Sequence, residues 1–373
     1  AIGAGSNRGF LFDPTMLGFV LEKMVVERGV QVLLHTTVTG VSVADGRVES
    51  VQLFGKSGPM RASARVFIDA TGDGDVCALA GLDMLHGDEE TGKNQPVSLR
   101  YIVGGVDLDA FRAFLRAHGA QVSDGPFSGA TTRGDGRTWP LDPVMDAAVA
   151  AGDLSQDDPV YWQFFTVPGR SDCIAFNCPE FFDLHDADSA ENQTYVQLAG
   201  KQAILRQLLF YRKYFRGFEH SYIASVSSIV GVRESRRAVT DYVITAEDLL
   251  GHRKFDDAIC QSNYPVDVHG RKLHCKEIEK KNPDGLPYYE VPMRALIVRD
   301  VKNLMVAGRN LGAEFVAQSS IRIIPTCRAM GEAAGIGAAM ACREPSVNLH
   351  ALDGAAVRAA MHRLGAPFAQ DVA

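Results

Sequence analysis

A small set of polar side chains has the chemistry to bind or protonate a small molecule. Arg233, Arg236 and Arg237 stand together in GVRESRR, and one of them could hold a carboxylate through two parallel hydrogen bonds. A structural or solvent-exposed role is the alternative for at least two of them. His269, in YPVDVH, has an ordinary pKa near neutrality and could transfer a proton; a purely structural hydrogen bond is the alternative.

Arg322 is a further candidate because it comes just before Pro325 and a run rich in alanine and glycine. There it could neutralise negative charge or anchor an anionic group. Cys327 lies at the start of the same run, where a helix N-terminus would lower the pKa of a thiol. Because a redox cysteine needs a partner and the chain has no CxxC pair, we interpret Cys327 as structural. Tyr288 and Gln95 are weaker candidates.

Two glycine-containing turns each follow a short apolar run. RVFIDATGDGD places Gly72 after the first run, and KNLMVAGRN places Gly308 and Arg309 after the second. Glycine allows a ligand to approach the backbone closely, and ligands of open α/β sheets lie at the carboxyl ends of strands. Taken alone, the first turn could be any strand-to-loop junction, and the second fits tight packing of a helix on a sheet.

The elements that must position these residues follow from local patterns. Apolar spacing, an early Pro14 and a closing Gly29 predict the first helix, and Asp188 and Glu191 have the spacing of a capping box at the start of a long one. A loop is expected between Arg309 and the last helix. The pattern predicts helices over 14–29, 108–118, 189–215 and 325–340, strands over 30–34, 38–43, 48–54, 65–70 and 302–307, a turn at Gly46, and a polar loop over 123–138.

The bulk properties exclude several classes of protein. The chain has 373 residues, enough for two domains or one large α/β domain with a cap. A net charge of -7 argues against non-specific binding to nucleic acid or to an anionic membrane. No apolar run reaches the length of about 18 residues that a spanning helix needs. Seven scattered cysteines favour neither disulfides nor a zinc site, so we expect no metal and a reducing cytoplasm.

Several blocks in order, over roughly residues 10–345, resemble the FAD-dependent oxidoreductase family, whose members share the glutathione-reductase type of FAD fold. A series of this kind is more specific than any single short motif. The blocks are FDPTMLGFVLEKM, VLLHTTVTGV, ARVFIDATGDGDVCALAG, QPVSLRYIVGGVD, GVRESRRAVTDYVITAEDLL, the DAI and YPVDVH runs, YYEVPMRAL, and KNLMVAGRNLGAEFVAQSSIRIIPTCRAMGEAAGIGAAMA.

The resemblance implies FAD as the cofactor and carries specific contacts onto this sequence. Val38 matches the position that meets the adenine, and the Gly308-Arg309 pair matches the position beside the ribityl chain. Many relatives of the fold have an acidic residue where Arg309 stands, so this contact departs from their pattern. The helix that begins at Thr326 and includes Gly331 would point at the isoalloxazine. The pyrophosphate and flavin would meet Ala70, Thr71 and Gly72, with weaker claims for Asp73 and Asp75.

The implied fold class is α/β, with a Rossmann-like FAD/NAD(P)-binding domain over 1–95 and 290–345. An inserted α+β cap would span 96–289 and a C-terminal helical tail 346–373, with the active site between domain and cap. No GxGxxG unit is found, since the glycines of AIGAGSNRG miss that spacing. We therefore expect a chain whose first βαβ unit is missing, by processing or truncation.

The implied function is two-electron oxidation or reduction of a small organic substrate through flavin N5, with Arg322, His269 and Arg233 as the catalytic candidates. One alternative is a non-catalytic remnant or subunit that binds a partner chain supplying the missing segment, and another is a simple fragment of a longer gene product. A homo-oligomer completing the FAD site is a further possibility. An exposed apolar sheet edge would favour a partner, because unpaired strands promote pairing.

Overall fold

The computed structural model describes residues 11–133, 138–269 and 288–368, and it is a mixed α/β protein. Within these ranges the helices are α1 (Pro14–Glu27), α2 (Asp75–Leu79), α3 (Leu108–Ala117), α4 (Asp142–Ala150), α5 (Ala190–Tyr214), α6 (Ala246–Leu250), α7 (Phe315–Ile321), α8 (Ile324–Ala341) and α9 (Gly354–Arg363), with short 3-10 helices at Met293–Ala295 and Leu349–Ala351. The strands are β1 (Thr37–Ala44), β2 (Arg47–Gly55), β3 (Gly58–Ala62), β4 (Phe67–Asp69), β5 (Met84–His86), β6 (Val97–Ser98), β7 (Tyr101–Gly104), β8 (Ser128–Thr132), β9 (Tyr161–Thr166), β10 (Ile174–Phe176), β11 (Glu180–Phe181), β12 (Tyr222–Val226), β13 (Arg236–Ala238), β14 (Ala258–Ser262), β15 (Tyr289–Pro292) and β16 (Leu304–Val306).

A three-stranded antiparallel meander, β1-β2-β3, follows the first helix. Asp45 and Gly46 connect β1 to β2 with φ values of 51° and 67°, the left-handed pair that a two-residue hairpin turn requires. The predicted helix over 14–29, the strands over 38–43 and 48–54, and the turn at Gly46 are confirmed.

The predicted strand over 30–34 is wrong. This apolar segment lies outside the ladders of the described residues, and Val30, Val32, Leu33 and Leu34 are all exposed. A strand forms only when a neighbour accepts its hydrogen bonds, and β-rich composition does not supply that neighbour.

Three other local predictions need correction. The long helix α5 is capped by Ser189, whose side chain accepts from the backbone N–H of Asn192, while Asp188 pairs with Arg236 at 2.9 Å. The predicted polar loop over 123–138 contains β8, because β9 offers it an antiparallel partner. The predicted loop after Arg309 contains the short helix α7.

Two short strands form the parallel pair that positions the glycine turns. β16 pairs with β4 in the register Leu304↔Phe67, Met305↔Ile68 and Val306↔Asp69. All three residues of β16 are buried, whereas Ile68 is 39% exposed. The carboxyl ends of the two strands therefore lie side by side, and their following loops emerge at one edge.

A second sheet has the order β12-β7-β10-β9-β8 and is antiparallel throughout. Its core is strongly aromatic: Phe111 of α3 packs against Phe164, Phe215 and Phe218 at centroid distances of 4.9–5.6 Å. Rings of this size supply much of the apolar area that a small core buries.

The buried apolar side chains form two large hydrophobic cores, each built from different stretches of the sequence. One joins residues between Val48 and Cys77 to residues between Ala238 and Phe368, and the other lies between Val97 and Val230. Residues 238–266, which the predicted division assigns to the cap, pack in the first core. The domain limits stay a prediction. None of the described helices is long and apolar enough to cross a membrane.

Candidate functional site

The loop after β4 is organised by the buried carboxylate of Asp69. Its Oδ1 accepts from the backbone N–H and the hydroxyl of Thr71 at 3.0 and 2.7 Å. Its Oδ2 accepts from the N–H groups of Val76 and Cys77 at 2.9 and 3.2 Å, at the start of α2. Sequence reasoning did not single out Asp69. The signal was its place as the last residue of an apolar strand, where a carboxylate can cap a following turn.

Arg309 joins the loop after β16 to the loop after β4. Its Nη1 donates to the Gly72 carbonyl at 2.7 Å, and its two terminal nitrogens contact the Asp73 carboxylate at 2.7 and 2.9 Å. Gly72 has a φ of 83°, and a Cβ there would lie 2.9 Å from Cζ of Arg309, so glycine suits both the backbone and the close approach. Gly308, with a φ of 127°, begins the second loop.

A line of alternating charges ends at Arg322, the residue that follows α7. The Arg233 guanidinium is 2.5 Å from Oε1 of Glu180, and Nδ1 of His269 is 2.9 Å from the same oxygen. Nε2 of His269 is 3.4 Å from Asp267, and Arg322 is 3.4 Å from the other Asp267 oxygen. We call these five residues the charged chain. It brings together all three catalytic candidates predicted from the sequence. They are connected by Glu180 and Asp267, two residues that sequence reasoning missed.

Burial and ion pairing shift the pKa values of His269 and Asp267 in opposite directions. Burial acts to lower the pKa of His269, but hydrogen bonding to Asp267 and Glu180 raises it above its usual range. Burial acts to raise the pKa of Asp267, but His269 and Arg322 lower it to about 2. Burial, with Arg233 nearby, lowers the pKa of Arg322 to about 10. Proton binding at His269 is thus favoured by its two carboxylates.

A family model described as FAD dependent oxidoreductase matches residues 3–361 of this chain. The chain belongs to the FAD-dependent oxidoreductase family. FAD is the cofactor of this family, which agrees with the cofactor that the resemblance implied. Apart from Phe368, the match includes the residues of both cores described above.

Solved structures similar to this family member include two described as flavin- or FAD-dependent halogenating enzymes and one described as reductase-like. A flavin-dependent brominase triple mutant matches with a TM-score of 0.40 and 12% identity, covering 94% of this chain and 60% of that chain. A geranylgeranyl bacteriochlorophyll reductase-like protein from Thermoplasma acidophilum matches with a TM-score of 0.43 and 11% identity, covering 97% and 61%. The myxobacterial chondrochloren halogenase matches with a TM-score of 0.39 and 10% identity, covering 97% and 55%. The chain thus spans 61% or less of the length of these proteins. No curated protein matches it.

Several residues of this FAD-dependent oxidoreductase family member have the space or the free polar atom that contact with FAD would need. On α8, Gly331 and Gly335 face open space, since an added Cβ would meet nothing within 4 Å. Oδ1 of Asn310 is buried and is without a hydrogen-bond partner among the described residues, so it could accept from a ribityl hydroxyl or a flavin N–H. The Gly72 and Gly308 loops would approach the same molecule from the end of the parallel strands.

The remaining predicted cofactor residues are placed as follows. Ala70 and Thr71 are exposed in the loop after β4, and Asp75 is paired with Arg236 at 2.6 Å. Val38 lies in the meander, opposite Leu53. The first turn of α8 contains Thr326, which is buried. The assignment of these residues to FAD stays a prediction.

Two of the three arginines in GVRESRR have several structural partners. Arg236 contacts Asp75 and Asp188, while Arg237 donates to the carbonyl of Ala313 at 2.8 Å and lies 3.2 Å from Glu234. These contacts support the structural interpretation for both. Arg233 differs because it joins the charged chain.

The expectation of a lowered thiol pKa at Cys327 is wrong. Burial raises the pKa of Cys327 to about 11, and this effect exceeds the lowering by the nearby charges of Arg309 and Arg322. The two weaker candidates also have partners: the Lys254 ammonium lies 3.9 Å above the Tyr288 ring, and Gln95 donates to Gln318 at 3.0 Å.

Proposed function

We propose that this chain contributes flavin-facing and substrate-facing residues to an FAD-dependent oxidoreductase acting on a small organic molecule. One observation carries the proposal: Arg309 connects the two glycine loops at the carboxyl ends of β4 and β16. That edge is where a cofactor of an α/β protein binds, and α7 leads from it directly to Arg322. Bound FAD would supply the redox chemistry by taking or giving a hydride at N5.

Arg322 is the residue best suited to hold an anionic group of the substrate. Its Nη2 is engaged by Asp267, but its buried Nε is without a hydrogen-bond partner among the described residues. A buried unpaired donor is costly, so a carboxylate that accepts from Nε would stabilise the bound state. His269, held between two carboxylates, would keep a proton close to that anion.

The first test is the visible absorption spectrum of the purified chain after FAD is added and the protein is desalted. We expect a structured flavin band to be retained. Arg322→Ala should then weaken binding of small carboxylates about tenfold or more, while FAD stays bound. Arg328→Ala, an exposed arginine on α8, is the matched control and should leave both properties unchanged. A colourless protein would contradict the proposal for this chain by itself.

A second candidate function is favoured by α1. Its fourteen residues include none that is buried, although Met16, Phe19, Leu21, Met24 and Val26 are apolar. A helix that is apolar on all sides is normally enclosed. A partner chain that covers α1 and completes the FAD site would explain this exposure. FAD binding only in the presence of such a chain would support this candidate.

A further inference from the structure

Gln318 lies between the loop that holds Arg309 and the charged chain. It is fully buried on α7, and its Nε2 donates to the carbonyl oxygens of Arg233 and Arg309 at 3.0 and 3.1 Å. Its Oε1 accepts from Nε2 of Gln95 at 3.0 Å. Both hydrogens of one amide group are therefore used to hold two separate backbone segments together.

The two segments lead to different polar groups. The side chain of Arg309 continues to Gly72, and the side chain of Arg233 continues to Glu180. In addition, the backbone carbonyl of Gln318 accepts from the N–H of Arg322 at 3.0 Å, one turn later on the same helix. One residue thus contacts the loop that begins at Gly308, the backbone of Arg233 and the turn that carries Arg322.

We propose that Gln318 is a positioning residue that fixes the Gly308–Asn310 loop relative to Arg233, and that FAD affinity depends on this link. The inference rests on the proposed function, in that it takes this loop to face FAD. A neutral side chain with two donors and one acceptor at this length matches the two carbonyls and the Gln95 amide that it contacts, and the contact to the Arg233 carbonyl is buried. Losing both donors would leave two carbonyls unsatisfied and free the loop to move.

The test compares Gln318→Met, which keeps the length and removes both donors, with wild type. We expect amide hydrogen exchange to increase together in peptides covering 230–235 and 308–312. We also expect the dissociation constant for FAD to rise about tenfold, as measured by flavin fluorescence.

Gln207→Met is the matched control. Gln207 is also buried and also uses its amide on both sides, accepting from the Tyr101 hydroxyl at 2.7 Å and donating to Asp158 at 3.1 Å. It lies in the second core, so its loss should lower thermal stability without affecting either peptide or FAD binding.

The outcomes separate the two proposals. If Gln318→Met changes both peptides and FAD affinity while Gln207→Met changes neither, the positioning role is supported. If the two variants lose stability alike and exchange in 230–235 and 308–312 is unchanged, the inference is overturned. If wild type itself does not bind FAD, the proposed function fails for this chain, and the coupled exchange of the two peptides still decides whether Gln318 links them.

Discussion

Single residues in this protein are tuned by the balance between burial and the charge beside them. Cys327 and His269 show the two results: burial dominates at the thiol and raises its pKa, while two carboxylates overcome burial at the imidazole. The difference lies in the partners. His269 contacts Glu180 and Asp267, whereas the Cys327 Sγ donates only to the Arg322 carbonyl among the contacts of the described residues.

The raised pKa of His269 predicts how stability depends on pH. Because the folded pKa lies above the ordinary value near 6.5, the stabilisation is complete below that pH and is lost as pH rises through the folded pKa. His269→Gln should therefore cost about 1 to 2 kcal/mol at pH 5.5 and progressively less toward pH 9. Urea unfolding of wild type and His269→Gln between pH 5.5 and pH 9 measures this difference in the free energy of unfolding.

The control for this prediction is His350→Gln, which removes a half-exposed histidine paired with Asp241 at 2.8 Å. The comparison separates the loss of a histidine in general from the loss of the contacts that His269 makes with Glu180 and Asp267. The groups facing His269 are Glu180, Asp267 and the Tyr161 ring at 4.8 Å, with Arg233 acting at longer range. A constant energy difference between wild type and His269→Gln over the whole range would contradict the ion-pair account.

At the level of elements, helix glycines serve different purposes on α5 and α8. Gly200 on α5 packs against Leu99, where an added Cβ would lie 2.9 Å from Cδ2 and 3.0 Å from Cβ. Gly335 on α8 faces open space. Glycine therefore permits close packing at the first position, and at the second it leaves an uncovered stretch of helix surface.

Alanine substitutions at these two positions should change the free energy of unfolding in opposite directions. Gly335→Ala should raise the free energy of unfolding by up to about 1 kcal/mol, because alanine is the better helix former and meets nothing. Gly200→Ala should lower it by about 1 to 3 kcal/mol, because Leu99 is fully buried and cannot move away freely. Urea denaturation of both variants checks this, and equal shifts would show that the α5 contact is looser than described.

At the scale of the whole molecule, many of the exposed large apolar side chains of the described residues lie within residues 12–34. Besides α1, the segment over 30–34 is exposed and apolar, and β4 has no second strand beside it among the described residues. Contiguous exposed apolar residues are typical of surfaces that another polypeptide covers. The exposure supports the second candidate function and defines what a partner must bury.

Charging this surface should reduce self-association without loss of stability. We expect the double variant Leu21→Lys and Val26→Lys to bind less of an apolar dye and to sediment as a smaller species at micromolar concentration. Both side chains are at least half exposed, at 50% and 64%, so the free energy of unfolding should stay within about 0.5 kcal/mol of wild type. Ile229→Lys with Leu364→Lys adds the same charge at isolated exposed positions. An equal effect from that pair would attribute the change to net charge alone.

Local sequence determined the elements whose stability is local. The helix from Pro14, the Asp45-Gly46 turn and the helix from Ile324 were predictable because apolar spacing, proline placement and left-handed turn residues act over a few positions. The sequence blocks that resemble the family also predicted the cofactor, FAD. The strand predicted over 30–34 failed, since that prediction required a neighbour that composition cannot supply.

Only the tertiary structure decided which polar groups meet. Arg309 reaches Asp73 across 236 positions of sequence, and Gln318 reaches Arg233 across 85. The sequence named Arg233, His269 and Arg322 separately, but Glu180, which pairs two of them, carried no local signal. Contacts at such separations depend on how strands and helices pack, and the free energy of packing is shared among many side chains. No short pattern can therefore encode them.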